Sequence, residues 1–207
     1  NGPLLVPPQE PVPAAVANHM ASFARMVGGE WKMTATAGTN MYDTWRWGPG
    51  KHSLRAMTDG LGADGEPWRA LQAVYWHPGR KQVRTLGLSP YAAGVAEGTI
   101  RVEGDTFEAI VDMYQTGNHR DLKSRWAFDG PDKYHDELLE STGPDGYFPL
   151  AAWDRFRIAP PTTPRSRLVE GASLPDRLKA FERALGHDWE TFGEAKDMRG
   201  EMSFTRN

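Results

Sequence analysis

The chain has 207 residues, 39% of them hydrophobic and 25% charged, with a formal net charge of −3. That length suits one domain with extensions and gives enough chain to bury a core. The composition excludes a disordered chain, the interspersed charges form no clustered basic face for nucleic acid, and no apolar run approaches the ~18 residues of a membrane-crossing helix.

Residues 1–13 contain Pro3, Pro7, Pro8, Pro11 and Pro13 and show no strong periodicity, as in an extended spacer. A spacer that starts at Asn1 rather than methionine is expected to follow a removed leader. Export to the periplasm or outside the cell is therefore the expectation, with the cytoplasm as the alternative. Cysteine is absent, which removes disulfides, thiolate nucleophiles and zinc–thiolate centres together.

Across 14–27 the apolar residues Val16, Met20, Phe23 and Val27 recur at helical spacing, and Gly28-Gly29 ends the run. Glycine here lets the chain turn sharply with φ > 0. After Trp31 the period changes to two. Strands are predicted over 30–36, 41–47, 52–58, 68–76, 81–86, 94–102, 106–115, 122–128, 133–141 and 151–158. Turn chemistry separates them, as in Gly48-Pro49-Gly50, His77-Pro78-Gly79, Glu103-Gly104-Asp105 and Asp129-Gly130-Pro131. Short strands at this spacing, with no helices between them, predict an antiparallel up-and-down meander of about ten strands. Closure into a barrel removes its exposed edges.

Beyond residue 158 the pattern changes. Pro160, Pro161 and Pro164 mark a linker, and Ser173 is a candidate N-cap for a helix carrying the stripe Leu174, Leu178, Phe181 and Leu185 up to Gly186. The predicted organisation is a spacer (1–13), a helix plus barrel (14–158) and a helical C-terminal extension packing on the barrel (159–207). Residues 189–204 read as one more strand or a hairpin.

The triplet Gly29-Glu30-Trp31, after a short helix and before an all-β meander, resembles the calycin superfamily, which includes lipocalins and fatty-acid-binding proteins. The stretches Trp45-Arg46-Trp47-Gly48-Pro49-Gly50 and Tyr75-Trp76-His77-Pro78-Gly79-Arg80 are similar to uncharacterised lipocalin-like domains of exported bacterial proteins. The resemblance covers about 27–158. It implies a barrel plugged at one end by Trp31, with an arginine from a late strand, Arg155 or Arg157, packed over the indole. It also implies an interior able to hold a small apolar or amphipathic molecule. Haem-binding barrels of that superfamily continue with a glycine-rich run, whereas Trp31 is followed here by Lys32-Met33-Thr34-Ala35, so no cofactor is expected.

Eight tryptophans and several mid-strand arginines supply the leading binding candidates: Trp45, Trp47, Arg55, Tyr75, Trp76, Arg84, Arg125 and Trp126. An aromatic cavity with one or two arginines would suit an amphipathic ligand bearing a carboxylate, in a cavity of ~300 Å³ or more. The competing reading fills the barrel with the indoles and leaves the arginines outside. A metal site from His52, His77, His119 and His135 with Asp112, Asp121 and Asp136 lacks any H-x-H or H-x-x-x-H spacing, and none is expected. A lyase or isomerase on such a barrel would draw on Tyr42, Tyr75, Tyr114, Glu108 and Asp112. On the strand from 106, however, Phe107, Val111 and Met113 form the core face and the polar set faces solvent. His187-Asp188-Trp189-Glu190 has no nucleophile beside it and reads as an ordinary helix end. A packed interaction module without a ligand is the third possibility, and the oligomeric state is left open.

Overall fold

A computed structural model describes residues 19–34, 40–61, 67–89, 94–143, 146–159, 187–192 and 199–204. The chain divides into two compact units, 1–160 and 161–207.

In the first unit ten strands run β1 Glu30–Thr34, β2 Asn40–Trp47, β3 Ser53–Leu61, β4 Pro67–His77, β5 Gln82–Leu88, β6 Val95–Glu103, β7 Thr106–Gln115, β8 Asn118–Phe128, β9 Lys133–Gly143 and β10 Gly146–Ile158. Each pairs antiparallel with its neighbour in sequence, and β1 pairs with β10 to close the barrel. Closure gives each of the ten strands a neighbour on both sides. All ten predicted strands are present. β8 and β10 start earlier than expected, at Asn118 and Gly146; at β8 the two-residue turn Thr116-Gly117 lets pairing run almost to the tip.

The helix before β1 differs in detail from the 3.6-residue pattern. Described from residue 19, it tightens into a 3-10 segment, Ser22–Met26, whose buried residues are Phe23 and Met26. With Met20 they recur every three residues, the period of a 3-10 helix, so Met26 takes the core place expected for Val27. The predicted residues 14–18 and the spacer lie outside the described residues. So does the predicted helix over 174–185.

Gly28 and Gly29 carry the chain from this helix into β1 with φ of +96° and +71°. A Cβ on Gly29 would lie 2.7 Å from the carbonyl oxygen of Ile158, so both torsion and space demand glycine. Gly29→Ala is expected to cost about 1–3 kcal/mol, read from chemical denaturation. A loss under ~0.5 kcal/mol would show that the turn relaxes freely.

Strand alternation sends one set of side chains inward. The core unites Met20, Phe23 and Met26 with Trp31, Trp45, Leu54, Val74, Ile100, Phe107, Trp126 and Tyr134. The second unit contributes a separate hairpin, β11 His187–Phe192 and β12 Arg199–Phe204, paired from His187 opposite Phe204. The segment expected to be a strand or hairpin is thus a hairpin. The His187-Asp188 pair opens a strand there.

Candidate functional site

The register of β1 sets the interior. Trp31 lies opposite Arg157 on β10 and Asp43 on β2, and Met33 lies opposite Arg155. Residues of one parity on three adjacent strands therefore meet inside the barrel. Trp31 is fully buried, and its indole Nε1 donates to the Met26 carbonyl at 2.9 Å. The Arg157 guanidinium stacks 4.3 Å from the centre of its ring. Arg157 also donates to the carbonyls of Val27 and Pro131, each at 3.1 Å, and to those of Gly28 and Arg25. One side chain thus ties the helix exit and the β8–β9 turn to β10. Arg157, two residues beyond Arg155, is the arginine that covers the plug.

Arg155 has a different place. It points into the barrel and is held by two buried carboxylates. Its Nη1 pairs with Asp43, while its Nε and Nη2 donate to Asp136 Oδ2 at 3.2 and 3.1 Å. Thr58 Oγ1 donates to the second oxygen of Asp43 at 2.7 Å, and Ser124 Oγ donates to that of Asp136 at 3.1 Å. The Tyr134 ring lies 5.8 Å from the guanidinium. Burial pushes the Asp136 carboxyl above its ordinary range, against Arg155 and Ser124, which pull it down. Burial likewise drives the Tyr134 phenol well up, with Asp43 and Asp136 adding to the effect and Arg155 opposing it. Burial works against the charge of Arg155, but Asp43, Tyr134 and Asp136 outweigh it and keep the guanidinium protonated.

Above this cluster lies a cavity of about 250 Å³. It exists because inward positions on consecutive strands are small: Ala70, Gly87, Ala96 and Ala109 line it. Trp45, Trp126 and Trp153 form aromatic wall, Met113 and Leu138 aliphatic wall, and Asp43, Asp136 and Arg155 the polar part. The volume falls short of the ~300 Å³ expected for an ordinary ligand pocket. It exceeds the ~150 Å³ that accommodates benzene in an engineered cavity. One ring with a substituent fits.

Trp45 is 3% exposed, and its rings meet Trp126 edge-on with centroids 6.0 Å apart. Among the described residues, its Nε1 is the buried side-chain polar atom with no hydrogen-bond partner. A donor left bare in an interior costs about 1–3 kcal/mol; this nitrogen is itself inaccessible to a water-sized molecule, so it lies behind the cavity wall.

Of the eight binding candidates, the cavity brings together Trp45 and Trp126. Trp47 and Trp76 pack against the core without lining the cavity, and Trp76 stacks on His19 at 4.0 Å. The arginine-lined interior is corrected: Arg55 and Arg125 are exposed, while Arg84 and Tyr75 alternate with inward neighbours and so face outward. The outer face of an antiparallel barrel is solvated, so a mid-strand arginine there needs no buried partner. Tyr42, Tyr114, Glu108 and Asp112 also occupy outward positions, next in their strands to the inward Asp43, Met113, Ala109 and Val111. A three-histidine site does not form among the described residues. His135 pairs with Asp154 at 2.9 Å, and His119 sits between the exposed Asp112 and Asp121 at 3.5 and 3.2 Å.

The sequence reading missed Asp43, Tyr134 and Trp153, and considered Asp136 only as a candidate metal ligand. The alternation that put Trp45 and Trp47 on one face also puts Asp43 there, and a carboxylate sharing a face with two indoles was the available sign. At the far end of the barrel from the plug, Arg120 and Glu140 form a two-pronged ion pair at 2.6 and 2.7 Å.

No known family model and no curated protein matches this chain. Among solved structures, the crystal structure of Rv2717c from M. tuberculosis is similar with a TM-score of 0.47 and 15% identity, over 71% of this chain and 99% of that one.

Proposed function

We propose that this is a lipocalin-like binding protein that takes one small, mostly apolar molecule into the barrel. The observation behind this reading is a cavity left by small inward residues and walled by Trp45, Trp126 and Trp153. A barrel that served only to pack would gain by filling that space, because each unfilled cavity forfeits dispersion contacts. The cavity's size restricts the ligand to about one ring and a short substituent.

The test is a panel of monocyclic phenols with cationic, neutral and anionic heads, read by tryptophan fluorescence and thermal shift on the purified protein. At least one is expected to quench Trp45 and Trp126 and raise the Tm. Trp45→Ala, which removes part of the aromatic wall, is expected to weaken that ligand by about tenfold. If no member of the panel changes either signal, the binding reading fails.

A second reading, acid–base catalysis, has Tyr134, Asp136 and Arg155 side by side in the interior to support it. The raised Asp136 carboxyl is a better base than a solvated aspartate, and the buried phenol is confined to donating a proton. Both Asp136 oxygens already accept hydrogen bonds, which favours holding a ligand over abstracting its proton.

A further inference from the structure

We infer that the cavity selects a small organic cation, an amine head on an apolar body, over neutral and anionic molecules of the same shape. This rests on the binding reading above and names the chemistry of its ligand. Asp43 and Asp136 place two carboxylates at the polar part of the cavity, and among the described residues Arg155 is the one cationic side chain there. The other polar groups lining it, such as Thr58, Gln72, Thr85 and Ser124, are neutral, and Gln72 is engaged with Thr85 at 3.2 Å. When both are ionised, two carboxylates against one guanidinium leave a single surplus negative charge, at positions largely shielded from water.

Hydrogen bonds to Thr58, Ser124 and Arg155 satisfy the carboxylate oxygens geometrically without neutralising that charge. An ammonium group would neutralise it. The wall around it favours the same sign, since the π-faces of Trp45, Trp126 and Trp153 attract cations. Arg155 is already committed to both carboxylates, so an incoming carboxylate would have to displace one of them and would meet the other as a like charge. That reverses the charge expected of a ligand from the mid-strand arginines.

The test uses three probes with the same ring and the same phenolic hydroxyl: 4-hydroxybenzylamine, 4-hydroxybenzyl alcohol and 4-hydroxybenzoate. Calorimetric titration should rank the amine at least about tenfold tighter than the alcohol, and the alcohol tighter than the benzoate. In Asp136→Asn the ratio of amine to alcohol affinity should shrink to within about threefold, and an unchanged circular dichroism spectrum shows that the barrel is intact. Equal or tighter binding of the alcohol or benzoate by the wild type overturns the inference and leaves the binding reading standing. An amine preference that survives Asp136→Asn overturns its assignment to the carboxylate surplus. Failure of all three probes counts instead against ligand binding itself.

Discussion

Replacing Arg155 by methionine is expected to lower the free energy of unfolding by about 3–5 kcal/mol. The guanidinium is the shared counter-charge of Asp43 and Asp136, both nearly inaccessible to solvent. Its removal strands two like charges in one low-dielectric pocket. Asp136→Asn should behave quite differently. It leaves Arg155 and Asp43 as a balanced pair, and the carbonyl of the new side-chain amide can still accept from the guanidinium. The folded-state pKa of Asp136 is raised by burial, so the protonated form favours the fold. The stability this group contributes is complete below its unfolded pKa of ~3.9 and is lost as pH rises through the higher folded value. Asparagine stays neutral throughout. Guanidinium denaturation at pH 4 and pH 7 should therefore show Asp136→Asn gaining on the wild type as the pH rises, whereas Arg155→Met loses more at pH 7 than at pH 4. The combination Asp43→Asn, Asp136→Asn, Arg155→Met should recover most of the single-site loss, because neutral groups of similar volume replace a buried ion cluster at little cost. A mild Arg155→Met at neutral pH would show that water reaches the carboxylates and that the pocket is not the low-dielectric site its burial implies.

The barrel itself was legible because its evidence is local and repeated. Every strand announces itself by alternation and a turn, as in Phe107, Ala109, Val111 and Met113 between Gly104 and Gly117, and an antiparallel meander has few alternatives. The plug was legible to within two residues. Arg155 and Arg157 share a parity and both face inward, so alternation cannot choose between them. The choice follows from register, which places Arg157 beside Trp31 and Arg155 one step further in, beside Met33. The site was harder to see for a related reason. Arg55, Arg84 and Arg125 drew attention as charges in mid-strand, yet on a one-sided sheet a mid-strand charge is informative only with its parity. Applied to charges as it was to apolar residues, parity sends those three outward with Tyr75 and selects Asp43, Asp136 and Arg155. That these three converge is a long-range fact, since Arg155 and Asp43 are 112 positions apart in the chain and meet through closure of β1 on β10.

Trp31→Ala should cost about 3–5 kcal/mol, since it removes the largest fully buried side chain in the plug together with its bond to Met26. Arg157→Lys is the more discriminating change. Lysine keeps the charge but replaces a planar fork by a single ammonium, whereas Arg157 serves the carbonyls of Arg25, Val27, Gly28 and Pro131, the Asp132 carboxylate and the face of Trp31 at once. A loss of about 1.5–3 kcal/mol is expected, the value of hydrogen bonds to a charged group at a largely buried position. The two changes should also be coupled. With phenylalanine at 31 the ring remains but the bond to Met26 is gone, so the helix exit that Arg157 gathers is already loosened and the lysine substitution should cost less there. A double-mutant cycle over Trp31→Phe and Arg157→Lys, read by denaturant midpoints, is expected to give an interaction energy above ~0.5 kcal/mol, the level at which contacting residues depart from additivity. Strict additivity would mean that the indole and the guanidinium close the barrel as two independent parts, and that Arg157 acts on the helix exit alone.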